Sequence, residues 1–425
     1  MEKELEEYFD RLWPICRSIT GAGLRDSFKI LQDVIPLELH EIATGDRVFD
    51  WEVPKEWNIN SAYLIAPDGR KIADFSVNNL HLVNYSIPQN TEIEWEELKP
   101  HLHYLKEQPN AIPYLTTYYK ETWGFCMSYE DYLTLPKTGK YQVIINSSLK
   151  AGSLTYGEVL LPGSSNKEIL ISSYLCHPSM ANNELSGPLA TAFLYKKLAQ
   201  LKERKYSYRF VVAPETIGVI CFLNKRGEHL KRHMKAGYVL TCCGDGGKLN
   251  FKRSKNRHDE VNVIAEHILT YESQEHSVRG FSVGGSDERQ YCSPGFNLPV
   301  GSFMRTPYQE YREYHTSLDN KEFIDFKALS NTVNIVYNVC NAFEVNSKPF
   351  CHIQECEPQL GKRGLYPSSF NPEENRTLIH RRMHLLTYSD GKHSLLEIAE
   401  LRNESILEYT EEIKLLLSKK MITIR

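Results

Sequence analysis

The sequence predicts an α/β protein with a mixed β-sheet flanked by helices, together with an inserted β-rich segment and a small helical C-terminal module. Three observations lead to this prediction. Short apolar strands alternate with amphipathic helices between residues 153 and 345, which is typical of a sheet covered by helices. The composition changes near residue 46 and changes back near residue 152. Beyond residue 345, several prolines precede three short helices and a final strand.

The N-terminal segment, residues 1–45, has a helical pattern. Leu5, Tyr8 and Leu12 follow the helical period, and a second helix marked by Phe28 ends at Pro36. The first residues are acidic and lack an apolar run, so we expect no secretory signal. We predict that residues 1–45 and 153–345 form one discontinuous domain.

The stretch 46–152 is predicted to be an inserted β-rich domain. Its strands include SAYLI at 61–65 and YQVII at 141–145, and turn residues such as PDG at 67–69 separate them. Many aromatic side chains crowd one part of it, namely Tyr114, Tyr118, Tyr119, Trp123 and Phe125.

The stretch 153–345 supplies the predicted sheet and its helices. Apolar strands are expected at 169–174, 208–213 and 237–242, and the helices of this stretch at 188–201, 261–269 and 326–343. Strands that alternate with helices in this way form mixed or parallel sheets.

The C-terminal stretch, residues 346–425, is predicted to be winged-helix-like. Helices are expected at 375–387, 394–401 and 405–419, with a strand at 421–424. A helix that enters the major groove of DNA needs positive charge. Here residues 361–425 carry a net charge of only +2 and the last helix has an acidic face. We therefore favour packing or a contact in a homo-oligomer over nucleic-acid binding.

The whole chain of 425 residues has a formal net charge of −4. This balance gives no general attraction to nucleic acid or to an anionic membrane surface. The sequence contains no run of about 18 apolar residues, so we expect no membrane span. Ten cysteines occur without C-x-x-C pairs, which with the absence of a signal predicts reduced thiols in a cytoplasmic protein.

Ionisable residues follow the predicted strands, at the edge where α/β sheets bind ligands. They are His177 after the first strand, Glu215 after the second, Asp245 after the third, and later His315. Two imidazoles with one or more carboxylates are what a catalytic zinc site with an open position requires.

Five segments, taken in order, resemble a known group of enzymes: HP-x(2)-ANNELSG from His177, PETIG from Pro214, CGDGG from Cys243, GGSDER from Gly284 and YHTSLD from Tyr314. They are similar to the zinc aminopeptidase clan. They resemble more closely the bacterial aminopeptidase-like proteins that carry an inserted β domain and a C-terminal winged helix and are associated with polysaccharide biosynthesis. The resemblance covers nearly the whole chain and implies the zinc-peptidase, or phosphorylase/hydrolase-like, fold.

The resemblance also implies roles for individual residues. The implied ligands of zinc are His177, Asp245 and His315, and Glu215 is the implied general base. Asp287, Glu288, Arg289 and Tyr314 are expected at the substrate cleft.

Three carboxylates of the two-metal pattern are missing, because their places fall on Asn183, Thr216 and Ser179. Asparagine cannot bridge two cations as a charged group does. We therefore predict one zinc ion, with Asn183 and the neighbouring Glu184 kept as additional candidate ligands.

Simpler interpretations compete with these roles. A single histidine near a strand end is more often a structural residue, and Glu215 could merely stabilise a helix N-terminus. The order of His177, Asp245 and His315 favours the metal site. Cys176 beside His177 suggests a Cys–His pair, but neighbours on an extended strand point to opposite faces, so we expect none.

The sequence thus predicts a metal-dependent hydrolase of peptide or amide bonds, with a peptide or an amine-bearing small molecule as its substrate. Two alternatives remain. One is a catalytically degenerate binding module that keeps the fold. The other is a regulator in which the α/β domain senses a ligand and the winged helix reads DNA.

Overall fold

The computed structural model describes residues 1–273, 275–366 and 372–424. The chain divides into two compact units. The first consists of Met1–Asn262 and Ser277–Asn334, and the second of Val263–His276 and Ile335–Arg425. The predicted domain boundaries at residues 45, 152 and 345 stay predictions. Among the described residues, no helix has both the length and the apolar composition that a bilayer span needs.

The helices up to residue 345 are, in chain order, α1 Glu2–Leu12, α2 Ala22–Leu31, α3 Trp95–Leu98, α4 Tyr129–Leu133, α5 Ser186–Leu198, α6 Ile217–His233, α7 Glu260–Glu272, α8 Glu288–Tyr291 and α9 Phe326–Val345. The strands are β1 Glu38–Ala43, β2 Arg47–Val48, β3 Trp51–Glu52, β4 Glu56–Ile65, β5 Lys71–Ile72, β6 Gln89–Glu94, β7 Leu102–His103, β8 Phe125–Cys126, β9 Lys140–Lys150, β10 Ser153–Leu161, β11 Glu168–Tyr174, β12 Ser207–Ala213, β13 Met234–Leu240, β14 Leu249–Lys252, β15 His276–Arg279 and β16 Val300–Met304.

Eight of these strands form the main sheet, in the order β1-β10-β12-β11-β13-β16-β14-β15. The four central strands β12, β11, β13 and β16 run parallel, whereas β1, β10 and β14 pair antiparallel with their neighbours. The predicted mixed sheet flanked by helices is therefore confirmed. Because the central strands are parallel, their carboxyl ends all lie at one edge of the sheet.

The central strand β11 is buried along its whole length. Its sequence EILISSY has no polar face, as expected for a strand covered on both sides. Helix α5, which follows β11 in the chain, is also buried along most of its length. His177 lies in the segment that connects β11 to α5. Because both of these elements are buried, the surrounding core fixes the position of His177.

The inserted segment has a sheet of its own, in the order β5-β4-β9-β6. Its β9 pairs antiparallel with both β4 and β6, and Tyr141, Val143 and Ile145 alternate as buried residues along it. The predicted strand at 141–145 thus lies inside a longer one.

Strand β1 lies at one edge of the main sheet, although the sequence pattern of residues 1–45 predicts only helices. It pairs antiparallel with β10, from Glu38 opposite Glu158 to Ala43 opposite Ser153. No residue of β1 is fully buried. An edge strand of this kind lacks the apolar signal by which strands are predicted.

The second unit contains, beyond residue 345, β17 Pro349–Cys351, α10 Pro372–Tyr388, α11 Leu395–Glu400, α12 Thr410–Ser418 and β18 Ile422–Ile424. Strands β17 and β18 pair antiparallel, and a capping box of Ser394 and Glu397 starts α11. The predicted helix at 405–419 is instead a 3₁₀ turn, Ile406–Tyr409, followed by α12. Three helices between two paired strands agree with the predicted winged helix.

Candidate active site

The carboxyl ends of the parallel strands carry the predicted site residues. His177 follows β11, Glu215 follows β12 and Asp245 follows β13. His315 lies in the loop that connects β16 to α9. The sheet topology therefore brings residues that are distant in sequence to one edge, as the strand-end argument predicts.

His177 lies in a buried position between two carboxylates. Its Nδ1 is 2.7 Å from Glu184 Oε2, and its Nε2 is 3.7 Å from Glu215 Oε2. Burial opposes a charge on the ring, but Cys176 and Glu184 outweigh it and raise the pKa of His177 well above its ordinary value. The ring centroid of His315 is 5.5 Å from that of His177.

His315 is held by aromatic contacts. Tyr314 stacks on it with a centroid distance of 4.0 Å, and Tyr114 packs edge-on against it at 5.3 Å. Burial, with a contribution from His177, lowers the pKa of His315 to about 3. This imidazole therefore stays neutral, the form that can bind a metal ion.

The backbone is strained at several turns that follow the central strands. Ser179, Thr216, Cys242 and His315 all have positive φ, at 46°, 65°, 48° and 55°. A positive φ is a genuine outlier for a β-branched residue such as Thr216. Strained backbone of this kind clusters at functional sites, where the surrounding fold enforces it.

Glu215 precedes α6 and its side chain is 27% exposed. Burial raises its pKa, although the charges of His177 and Arg289 act in the opposite direction. The next residue, Thr216, donates its backbone N–H to Asp287 Oδ1 at 2.7 Å and accepts a bond from Arg289 at 2.9 Å. The GGSDER segment therefore holds the turn that presents Glu215.

Asp245 is surrounded by donors of the protein itself. Oδ1 accepts bonds from Gly247 N and Thr306 Oγ1, and Oδ2 accepts from Asn182 Nδ2 and Thr306 N, at 2.6–3.0 Å. An ionised carboxylate offers about four acceptor positions, and all four are used. Its role as a metal ligand stays a prediction, and it would require the exchange of one of these bonds.

The groups near His177 include donors that can bind a divalent cation. Two imidazoles on one tetrahedral zinc have ring centroids roughly 5 Å apart, given Zn–N distances of about 2.0–2.1 Å, close to the observed separation. Asn183 Oδ1 is buried and has no hydrogen-bond partner among the described residues. Cys176, His177 and Glu184 form a group whose possible metal-binding atoms all lie within 4.8 Å of one another. Within the residues that the structure describes, neither Asp245 nor His315 belongs to such a group of three.

The other predicted cleft residues differ in exposure. Asp287 and Glu288 are fully buried, and Glu288 Oε1 is 2.5 Å from the buried Lys252 Nζ. Arg289 and Tyr314 are partly exposed. Contact with substrate stays a prediction for all four, and exposure favours Arg289 and Tyr314.

Cys176 lies closer to His177 than predicted. Its Sγ is 3.5 Å from His177 Nδ1, so the expectation that the two side chains point to opposite faces is wrong. The chain has already left the extended strand β11 at this point. Burial nevertheless raises the pKa of Cys176 to about 11, and Glu184 occupies the same Nδ1, which argues against a reactive Cys–His pair.

Two features of the site depend on tertiary contacts that the sequence does not reveal, although Asp319 belongs to the YHTSLD segment. Tyr114, from the inserted segment, packs on His177 with a centroid distance of 5.1 Å, and its hydroxyl is 2.9 Å from that of Tyr118. Tyr118 in turn lines a cavity of about 720 Å³ within the inserted segment. Asp319 bonds the backbone N–H groups of Asn182 and Asn183 and thereby fixes a π-helical turn, Ala181–Leu185.

The fold and the site define an aminopeptidase-like protein with a C-terminal winged helix. The model of a family described as a domain of unknown function, DUF4910, matches residues 6–346, and the chain belongs to this family. A winged helix-turn-helix model matches residues 349–424.

A curated protein and a solved structure that resemble this chain both come from Clostridium acetobutylicum. One is 45% identical over 397 residues, which span 93% of this chain and 90% of the relative, and its name provisionally assigns it to polysaccharide biosynthesis with an aminopeptidase-like domain. The other is a crystal structure named provisionally as a peptidase, with 42% identity and a TM-score of 0.93 over 100% of this chain and 96% of that one.

The fold also matches a zinc aminopeptidase from Bacillus subtilis, with a TM-score of 0.58 and 12% identity. The match covers 80% of this chain and 94% of the aminopeptidase. At this identity the likeness establishes the fold alone, and it confirms the predicted aminopeptidase-like architecture.

Proposed function

We propose that this chain is a metal-dependent hydrolase that cleaves a peptide or amide bond next to a free amine. The observation that carries the proposal is the placement of His177, His315 and Glu215 at one edge of the sheet. Two imidazoles can hold one ion there, and a carboxylate of raised pKa lies 3.7 Å from His177 Nε2.

His177 and His315 would hold one zinc ion together with Asp245, the third ligand that the resemblance implies, and Asn183 is an additional candidate ligand. When bound, the ion supplies a Lewis acid that polarises the substrate carbonyl and makes water more acidic. Glu215 takes the proton from the attacking water and later gives it to the leaving amine. Because the side chain of Glu215 is partly exposed, both the water and the leaving amine can approach it.

The substrate extends from this edge of the sheet. Arg289 and Tyr314 are the predicted contacts that solvent reaches, and the cavity beside Tyr118 offers room for the rest of a larger molecule. Because the name of one Clostridium relative refers to polysaccharide biosynthesis, we include amide-bearing amino sugars among the candidate substrates.

A catalytically degenerate binding module is the second candidate. It is favoured by Thr216, whose hydroxyl accepts a bond from Arg289, and by Asp245, whose acceptor positions are all used. In that case the chain would keep the cleft and bind its ligand without hydrolysis. A ligand-sensing regulator that uses the winged helix is a variant of this proposal.

Replacement of Glu215 by glutamine tests the proposal. E215Q keeps the shape but removes the basic site, so kcat should fall about 10²–10⁴-fold with unchanged metal content. The assay is release of free amine from aminoacyl amides, short peptides and amide-bearing amino sugars with added Zn²⁺. Glu310→Gln is the matched control, because Glu310 pairs with Arg279 on the surface.

Equal turnover by wild type and E215Q would eliminate Glu215 as the base. No turnover by the wild type on the whole panel, combined with saturable binding of one of its members, would favour the binding module.

A further inference from the structure

Glu184 binds the imidazole of His177 at Nδ1, the ring nitrogen on the side away from Glu215. It lies in the turn Ala181–Leu185 and is fully buried. One carboxylate oxygen is 2.7 Å from His177 Nδ1, and the other accepts the backbone N–H of Cys176. Both oxygens therefore bond to the segment that carries the histidine.

Arg17 lies on the other side of Glu184. Its Nε is 3.9 Å from Glu184 Oε1, and neither side chain is exposed. Arg17 donates one bond from Nη1 to the carbonyl of Leu12, while Nε and Nη2 have no hydrogen-bond partner among the described residues. The guanidinium is a buried positive charge placed next to the carboxylate, so Arg17 and Glu184 form an ion pair without exposure to solvent.

This arrangement decides which ring nitrogen of His177 is available. A carboxylate on Nδ1 keeps a proton there, and the lone pair of the neutral ring is then on Nε2. Nε2 is the nitrogen that lies 3.7 Å from Glu215. The ring nitrogen that is free to bind a metal ion is thus determined by two buried residues that do not contact the substrate.

We propose that Arg17 and Glu184 are positioning residues that fix the tautomer and orientation of His177, and that Glu184 is not a metal ligand. Glu184 acts on the histidine directly, and Arg17 acts through Glu184. The tautomer does not depend on the proposed function, whereas the consequence for metal binding rests on it.

The tautomer is tested by ¹⁵N NMR on metal-free, histidine-labelled protein, at a pH where the His177 ring is neutral and with His177→Asn to assign its signals. We expect a protonated Nδ1 and an unprotonated Nε2 in the wild type. A single substitution would leave one buried charge alone and could unfold the chain, so the variant is Arg17→Met with Glu184→Met. There the proton should leave Nδ1 in a measurable fraction of molecules. An unchanged tautomer in this variant would overturn the proposal.

The ligand question is tested by titration with Co²⁺, whose absorption bands report its ligands. The double variant should bind Co²⁺ about 10–100-fold more weakly with unchanged bands, as expected for loss of a residue that orients a ligand. Changed bands would mean that Glu184 is itself a ligand, contrary to the proposal. If even the wild type binds no Co²⁺, the proposed function fails, while the NMR result still decides the positioning role.

The matched control is Arg382→Met with Glu412→Met, which removes another buried ion pair with an N–O distance of 2.7 Å. It should leave the tautomer of His177 and the affinity for Co²⁺ unchanged. A shift of the same size in this control would show that loss of any buried pair has the effect, and would overturn the specific role of Glu184.

Discussion

The backbone N–H of Tyr114 donates a hydrogen bond of 2.8 Å to the carbonyl oxygen of His315. Two residues away on each segment, Ser317 donates its backbone N–H to the carbonyl of Ile112, and the backbone N–H of Ile112 donates to the hydroxyl of Ser317. The inserted segment is thus connected directly to the loop that carries the second histidine. Since the ring of Tyr114 also packs on His177, this segment forms one wall of the candidate site.

Truncation of Tyr114 should therefore impair the site. In Tyr114→Ala both imidazoles lose a packing partner, and small displacements of catalytic groups can cost up to about 10²-fold in rate. We expect kcat/KM to fall by ~10–10²-fold, and the free energy of unfolding by on the order of 3 kcal/mol. Amide hydrolysis and chemical denaturation measure the two effects.

Two variants separate the ring from other contributions. Tyr114→Phe keeps the ring and loses only the bond to Tyr118, so it should stay close to the wild type. Tyr119→Ala removes a neighbouring tyrosine that is mainly exposed and packs on Trp51. If Tyr119→Ala lowered activity as much as Tyr114→Ala, the contact with the histidines would not be the cause.

Metal content gives a second prediction. The places of three expected carboxylates fall on Asn183, Thr216 and Ser179, so we expect about one zinc per chain in protein purified without chelators. His177→Ala and His315→Ala should each lose it, because each removes one of the two imidazoles that are proposed to hold the ion. Elemental analysis measures the stoichiometry. Two tightly bound equivalents would show that the ligands have been misplaced.

Much of this site could be predicted because it follows the strands. β11, β12 and β13 are apolar and buried, so their ends are visible in the sequence, and parallel strands end at one edge. This reasoning alone places His177 and Glu215 at the same edge of the sheet. The fold class followed from the same alternation of strands and helices.

Other parts depend on tertiary contacts that have no local pattern. Tyr114 is one of many aromatic residues in the inserted segment, and nothing in its neighbourhood distinguishes it. The role of Glu184 arises from the π-helical turn Ala181–Leu185, which a sequence period does not reveal. Strand β1 is an edge strand without an apolar face, so its sequence has no alternating pattern that would predict a strand.

The second unit should lose stability in acid through Glu404. Burial opposes its charge, but bonds from Arg402, Arg381 and Tyr409 outweigh this and lower its pKa to about 2. Because the folded pKa lies below the ordinary value, the stabilisation is present above about pH 4.5 and is lost as the pH falls toward 2. A shift of this size corresponds to at most roughly 3 kcal/mol, and screening by solvent at this partly exposed site makes the contribution smaller.

Glu404→Gln should therefore be less stable than the wild type at pH 7 and equal to it near pH 2. Hydrogen exchange of α10 and α12, compared between variants at each pH, measures the difference. Glu408→Gln is the control, because Glu408 is 56% exposed and pairs only with Arg381 among the described side chains. Equal protection of Glu404→Gln and wild type at pH 7 would contradict the assigned role of Glu404.

Finally, the winged helix should not recognise a DNA sequence at near-physiological salt. Affinity for DNA comes largely from cations that neutralise phosphates, and here two arginines of the module are already paired with carboxylates. Arg382 bonds Glu412 in a buried pair, Arg381 bonds Glu404, and Glu411 and Glu412 occupy the first turn of α12. Fluorescence anisotropy with a library of duplexes measures binding.

As a positive control, Glu408→Lys with Glu411→Lys should raise non-specific affinity in a salt-dependent way. Nanomolar binding of the wild type to one duplex over its scrambled form would instead make this module a DNA reader.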